Sequence, residues 1–505
     1  MSSRIFSAAL VGVDAALVEV EADIAQGLPN FTVVGLPDAS VQESRERVRA
    51  ALRNTDLGFP RTRLTVNLAP AHLKKEGPGF DVPIAVALLE SAGVLPVARE
   101  PALFVGELAL DGTVRPVPGA LAIAKLAAAT GIKTLFVPEA NAAQAALVPG
   151  PMVIPVRDLR SLAEHLTGKI LIPPAPAVVP MPHTPDRSGE NDFAYIRGQE
   201  HAKRALEIAA AGGHNVLLSG PPGSGKTLLA RAIPGILPAF TLSEALEATQ
   251  IHGVAGSLPP EMTLLSHRPF RSPHHTASGV ALVGGGSTPR PGEVSLAHRG
   301  VLFLDEFPEF NRAALEALRQ PLEDGSVTVS RAAGTVRFPA RFLLVAAQNP
   351  CPCGWHGDSS GRCSCPATLV DRYRRKVSGP LLDRIDLHVE VPRMPIEKLA
   401  AETDAEPSAM IRVRVEAARS IQTARFIGTN IVTNSEMTSR QAKLHCTLDT
   451  EGKALIAAAV EHMKLSARAW SRVLKVARTV ADLAGEERVA AAHIAEALQY
   501  RLRME

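Results

Sequence analysis

Apolar and polar residues alternate over 16–20, 63–68, 103–105 and 133–137, as half-buried strands require. Over 40–53, 83–92 and 120–130 the apolar positions return every three to four residues, the period of an amphipathic helix. Residues 1–172 therefore read as an α+β or α/β domain. The next stretch, 173–192, is PPAPAVVPMPHTPDRSGEND, whose repeated prolines sustain neither helix nor ladder and predict a stiff linker. Across 193–392, short apolar strands at 215–219, 301–305 and 342–347 alternate with helix-like segments, the pattern of a parallel sheet covered by helices. In 393–505 the period is helical, with helices predicted at 397–426, 439–445, 451–464, 466–483 and 490–503. No short-period repeat runs through the chain.

Charge changes this picture by exclusion. Fifty-four Lys and Arg face 51 Asp and Glu, for a net charge of +3, and 46% of the 505 residues are hydrophobic. That composition excludes a disordered chain, an acidic solvating protein and a polybasic tail, so any contact with nucleic acid must be local. Four of the five cysteines fall between Cys351 and Cys365, which points to a cluster in a reducing compartment rather than a disulfide framework. The first residues lack the charged head and cleavage site of a signal peptide, and no uncharged run reaches the ~20 residues that span a bilayer. A soluble cytoplasmic protein, away from membranes, is expected.

The strongest chemistry lies at Gly220-Pro221-Pro222-Gly223-Ser224-Gly225-Lys226-Thr227, after the strand-like 216–219 and before the helix-like 228–232. Glycines let such a loop wrap a polyphosphate with its N–H groups turned inward. The helix N-terminus adds a positive dipole end, Lys226 reaches the terminal phosphates, and Thr227 offers a hydroxyl to Mg²⁺. Val301-Leu-Phe-Leu-Asp305-Glu306 ends a second apolar strand with a metal-holding carboxylate, Asp305, and a candidate base for the attacking water, Glu306. A third strand ends at Asn349, suited to orient water or the γ-phosphate, or simply to end the strand in a turn. Arg384, one helix later, is either an arginine finger for a neighbouring subunit or a surface ion pair.

Phosphate loop, Asp-Glu strand, polar sensor strand and arginine, in this order, resemble an AAA+ ATPase. The stretches Arg271-Ser-Pro-His-His-Thr, Gly284-Gly-Gly, Pro291-Gly-Glu-Val-Ser-Leu-Ala-His-Arg-Gly-Val-Leu-Phe-Leu-Asp-Glu and Ser378-Gly-Pro-Leu-Leu-Asp-Arg-Ile-Asp-Leu are similar to the magnesium-chelatase-like YifB/ComM family, and the likeness runs through the chain. It implies an α/β fold: an AAA+ core with a parallel sheet, an amino-terminal Lon-protease-like α+β domain and a carboxy-terminal helical lid. It also implies a hexameric ring that uses ATP and Mg²⁺. In the ComM branch that ring is a DNA branch-migration helicase in the homologous recombination of incoming DNA during natural transformation.

By the same resemblance, Ile196-Arg-Gly198-Gln199 lies beside the adenine, and Arg468 is the sensor arginine of the lid, acting on its own site or the adjacent one. Read from the residues alone, Arg468 is a charge near the start of an amphipathic helix. Family members carry two pore insertions, which map to 266–291, with Arg268, Arg271 and Arg290, and to the hairpin-like 325–338, with Arg331 and Arg337. Six copies of these arginines would grip a DNA backbone; the alternative is that they join subunits as ion pairs. His274 and His275 stay unassigned. The Lon-like domain has no nucleophile and no lysine where the Ser-Lys pair of a protease would stand, so proteolysis is not expected. Lys74 and Lys75 there are either basic contacts or part of a solvated loop. The rival reading is a chelatase-type motor that remodels a protein partner for Mg insertion into porphyrin.

Cys351-Pro-Cys353 and Cys363-Ser-Cys365 present four thiols, a chemically sound set for tetrahedral Zn²⁺, with His356 as a substitute. Their pairs are separated by one residue rather than the usual two to four, so reduced, unliganded thiols remain open.

Overall fold

The alternation read in the first domain becomes a seven-stranded sheet. In the computed structural model, residues 3–97, 100–177, 191–259, 262–286, 289–331, 334–358, 361–394, 405–462 and 466–501 are described. They divide into two compact units. One is made of 1–181, 242–265 and 328–338, the other of 182–241, 266–327 and 339–505.

The sheet of the first unit is built from β1 (Ser3–Val11), β2 (Asp14–Ala25), β3 (Asn30–Val34), β4 (Arg63–Ala69), β5 (Ala102–Phe104), β6 (Thr134–Pro138) and β7 (Met152–Val156), in the order β3-β4-β2-β1-β5-β6-β7. β1, β2 and β4 pair antiparallel, and the remaining neighbours run parallel. Helices Ala39–Asn54, Asp81–Ser91 and Ala120–Thr130 cover it. The middle helix is buried on every side from Asp81 to Glu90, as its run of apolar residues demands. Strands β1, β3 and β7 and the helix Leu159–Leu166 had no counterpart in the periodicity reading.

Two later segments join this unit. In the helix Leu242–Ala255, the Gln250 amide donates to the Val13 carbonyl at 2.7 Å and accepts from Lys125 at 2.5 Å. The outer part of the hairpin β11–β12 (Ser326–Arg331 and Gly334–Pro339) leans on the turn between β1 and β2. There a Cβ at Gly12 would fall 2.3 Å from Val336 Cγ1.

The second unit holds a five-stranded parallel sheet of β8 (Val216–Ser219), β9 (Phe270–Arg271), β10 (Val301–Leu304), β13 (Leu343–Gln348) and β14 (Leu387–Glu390), in the order β9-β10-β13-β8-β14. Counted along the chain this is 5-1-4-3-2, so the order reverses beside β8, where open α/β sheets bind ligands at the carboxyl ends of their strands. Val301, Leu302, Phe303 and Leu304 are all buried, which explains why an uninterrupted apolar run forms a strand here. Each stabilises the core by about 1.5–3 kcal/mol.

The carboxy-terminal helices Ser408–Arg425, Ser439–His445, Thr450–His462, Ala467–Ala484 and Ala491–Gln499 pack in the same unit, and no strand occurs among the described residues after 394. The helix expected over 397–426 starts only at Ser408, because Pro407 stands at its N-cap with extended backbone; 395–404 lie outside the described residues. A buried network ties the helices together. Asp482 accepts from Arg425 at 2.5 and 2.8 Å, from Arg478 at 3.0 Å and from Asn434 at 2.7 Å. His214, before β8, bonds Thr479 at 2.8 Å.

Candidate active site

Three strand ends converge. β8 runs into the phosphate loop, β10 into Asp305 and Glu306, and β13 into Asn349. Pairing of Val216 with Val345 and of Val301 with Leu343 sets all three at one edge of the sheet. The helix Lys226–Ile236 starts at the loop, so its unpaired N–H groups face the same place.

Lys226 is buried, and its ammonium donates to the carbonyls of Gly220 at 2.7 Å and Pro221 at 2.8 Å and to Asn349 Oδ1 at 3.3 Å. Burial pulls its pKa down to about 8, against a smaller upward pull from Asp305. Thr227 Oγ1 donates to Asp305 Oδ2 at 2.9 Å, which brings together the hydroxyl and carboxylate that suit a hydrated Mg²⁺. The other oxygen of Asp305 accepts the Glu306 N–H at 2.9 Å. Glu306 has a φ of 51°, a left-handed conformation that costs a non-glycine residue about 1–3 kcal/mol. Its carboxylate is half exposed, 3.0 Å from His275 Nδ1. His275, whose ring lies 4.1 Å from that of His274 and edge-on to Phe310, is a residue that sequence reasoning left without a role.

Beside the loop, Gln199 Nε2 donates to Pro392 O at 2.6 Å and Ser224 O at 3.4 Å, and Ile196 packs on the core. Gly198 and Gln199 both have positive φ.

Arg384 and Arg468 meet at one carboxylate. Arg384 is paired with Glu323 and donates to Pro380 O at 2.7 Å, and the exposed Arg468 lies 3.6 Å from Glu323. Nothing in the sequence spacing pointed to Glu323.

Arg268 donates to the carbonyls of Pro238 and Arg299, each at 2.7 Å, and lies over the Phe240 ring; Arg271 forms a fork with Glu293 at 2.7 and 2.8 Å. These two have partners inside their own unit. Arg290 and Arg337 are exposed, and the side chain of Arg331 lies outside the described residues. In the first unit Lys75 is fully buried against Pro70 O, so it offers no surface charge, and Lys74 pairs with Glu76 at 2.5 Å.

Directly after Asn349, the Sγ atoms of Cys351, Cys353, Cys363 and Cys365 all lie within 4.8 Å of one another, without a disulfide. The N–H of Trp355 pulls the Cys353 thiol down to about 6. His356 Nδ1 stands 3.9 Å from Cys363 Sγ, outside the four-sulfur group. Among the described residues no helix is long and apolar enough to cross a membrane.

Comparison with known proteins agrees with this geometry. Residues 192–399 match a family model described as magnesium chelatase, subunit ChlI; 20–141 match one for subunit ChlI of Mg-chelatase, and 405–501 one for the ChlI C-terminal region. The chain is 44% identical to the competence protein ComM of Haemophilus influenzae over 98% of its own length and 97% of the relative's. It is 43% identical to YifB of Escherichia coli over 99% and 97%. To the magnesium-chelatase 38 kDa subunit of Rhodobacter capsulatus it is 30% identical over only 31% of this chain and 50% of the relative. With an AAA+-type core, a helical carboxy-terminal domain and near full-length identity to both proteins, the chain belongs to the magnesium-chelatase-like YifB/ComM family.

Proposed function

We propose that this chain is an ATP-driven DNA motor, a branch-migration helicase that works as a homo-hexamer on single-stranded or branched DNA during natural transformation. ATP enters between subunits, its phosphates wrapped by residues 220–227 and its base beside Ile196, Gly198 and Gln199. Mg²⁺, held through Thr227 and Asp305, neutralises charge on the phosphates. Glu306 accepts the proton of a water whose oxygen attacks the γ-phosphorus as the bond to the bridging oxygen breaks and ADP leaves. Asn349 orients the water, and Arg384 of an adjacent copy, with Arg468, reaches the developing charge. Arg290, Arg331 and Arg337 are the DNA contacts of this reading, and Zn²⁺ sits on the four cysteines.

The observation that carries the ATPase part is the Thr227–Asp305 bond of 2.9 Å beside a buried Lys226 that already touches Asn349. The near full-length likeness to a competence protein supports the DNA part. A second reading, a chelatase-type motor that remodels a protein partner for Mg insertion into porphyrin, is favoured by the description of all three family models. The short stretch shared with the 38 kDa chelatase subunit weighs against it. ATP turnover measured with and without single-stranded and branched DNA separates them. DNA binding with stimulated turnover is expected; a protein that neither binds DNA nor is stimulated by it sinks the motor reading.

A further inference from the structure

The cysteine cluster does more than staple its own loop. Sulfur-to-sulfur distances of 3.3 Å (Cys351–Cys353), 3.7 Å (Cys353–Cys363) and 3.9 Å (Cys351–Cys363) bracket the edge of about 3.8 Å that a tetrahedron with Zn–S bonds of about 2.3 Å requires. All four thiols share that one space, so His356 is not needed as a ligand. Between the two pairs the described residues offer one large apolar side chain, Trp355, whose ring has Arg362 at 5.2 Å and Arg393 at 5.9 Å. A loop this polar has little apolar surface to fold by burial, and a metal on the four thiols would supply the missing free energy.

What the loop rests on is the phosphate loop. Gly354, in the turn closed by its N–H to Cys351 O at 3.0 Å, has a φ of +85°, and a Cβ there would fall 2.6 Å from Pro222 Cδ and 3.8 Å from Asn349 Cγ. Pro222 belongs to the phosphate loop, Asn349 accepts from Lys226, and Cys351 is the second residue after Asn349. The buried Cys351 is therefore separated from Asn349 by Pro350 alone, and Gly354, three residues after it, packs against Pro222 of the phosphate loop.

We propose that Zn²⁺ on Cys351, Cys353, Cys363 and Cys365 is a clamp on the nucleotide site: it holds the turn 351–354 against Pro222 and thereby fixes the phosphate loop and Asn349 in the arrangement that takes ATP. Metal content then controls ATP turnover through position, with no direct contact between metal and nucleotide. The inference rests on the ATP-site reading above, and its test includes readouts independent of ATP.

The full-length protein is analysed for zinc by mass spectrometry, then stripped with a chelator and reloaded with zinc alone. Hydrogen exchange of peptides spanning 216–230 and 343–354 is followed in both forms. About one zinc per chain is expected, with slow exchange in both peptides that is lost on stripping and regained on reloading. ATP turnover should fall about tenfold or more in the stripped form, the scale that misplacing a catalytic group by a fraction of an ångström produces. Gly354→Ala keeps all four thiols but drives a methyl group into Pro222, so it should retain zinc and still lose turnover. Less than about 0.2 zinc per chain, unchanged exchange after stripping, or a Gly354→Ala protein with normal turnover overturns the clamp. A zinc-loaded wild type that hydrolyses no ATP overturns the ATPase reading instead, because the exchange result stands without it.

Discussion

Lys226 gives the sharpest quantitative expectation. Its ammonium sits in a buried loop with carbonyl, amide and hydroxyl oxygens but no bonded carboxylate as acceptors, and burial moves its pKa from 10.5 to about 8. The difference corresponds to about 3 kcal/mol of desolvation that the empty loop does not recover. A triphosphate in the loop supplies the missing negative charge and returns the pKa toward 10.5 or above. Below about pH 8 the lysine is charged before and after binding, and no proton is exchanged. Above about pH 8 the empty site is neutral, and binding must take up a proton, so affinity falls with rising pH. The slope approaches tenfold in Kd per pH unit, about fiftyfold in all between pH 8 and pH 10. Calorimetric titration with a non-hydrolysable ATP analogue and Mg²⁺, in two buffers of different ionisation heat, reads both quantities. Proton uptake should rise from near zero at pH 7 toward one at pH 9 to 10. Lys226→Arg, whose charge is permanent, should bind more weakly at pH 7 and lose the slope. Equal affinity at pH 8 and pH 10, with no dependence on buffer, would refute the argument, because a solvated lysine of ordinary pKa behaves that way.

Glu306→Gln should lower turnover by about 10²- to 10³-fold while leaving affinity for the ATP analogue unchanged, as expected when a general base is removed; phosphate release and analogue binding measure the two, and retained turnover would put the base elsewhere. Asp482→Ala should destabilise the helical region by about 3–5 kcal/mol, because it leaves the buried Arg478 and the partly buried Arg425 without their shared carboxylate. Urea denaturation followed by circular dichroism reads this, and a loss below about 1 kcal/mol would show that water replaces the carboxylate.

How far the sequence was legible follows from where each interaction is encoded. Residues 220–227, 305 and 306 are readable because each group sits on a short motif at a strand end, and parallel pairing delivers strand ends to one edge whatever the loops between them do. Periodicity found the helices Ala39–Asn54, Ala120–Thr130 and Ala467–Ala484 to within a residue or two, since each buries one face or stripe. It missed β1, where small and polar residues such as Ser3 and Ser7 occupy buried positions and break the apolar alternation. The membership of the helix Leu242–Ala255 and the hairpin tip in the first unit depends on contacts such as Gln250 to Val13 O, more than two hundred residues apart in the chain. No local pattern records that.

The arginines show the same limit in electrostatic terms, and it bears on the DNA reading. A residue count treats every Arg as an available charge, yet an Arg whose guanidinium already faces a carboxylate adds little field at a distance. Arg271 is matched by Glu293, and Arg384 and Arg468 by the single carboxylate of Glu323. Two cations on one carboxylate leave a local excess of one positive charge. That excess stands where the proposed mechanism needs an anion from outside the chain, the γ-phosphate of a neighbour's ATP. Glu323 can thus hold Arg384 in the isolated chain and still be outcompeted, because a triphosphate carries more negative charge than one carboxylate does. The near-neutral total of +3 is a sum over the whole chain and does not exclude such a local excess. In the proposed DNA reading, the track is sought first among arginines that the fold leaves exposed, such as Arg290 and Arg337.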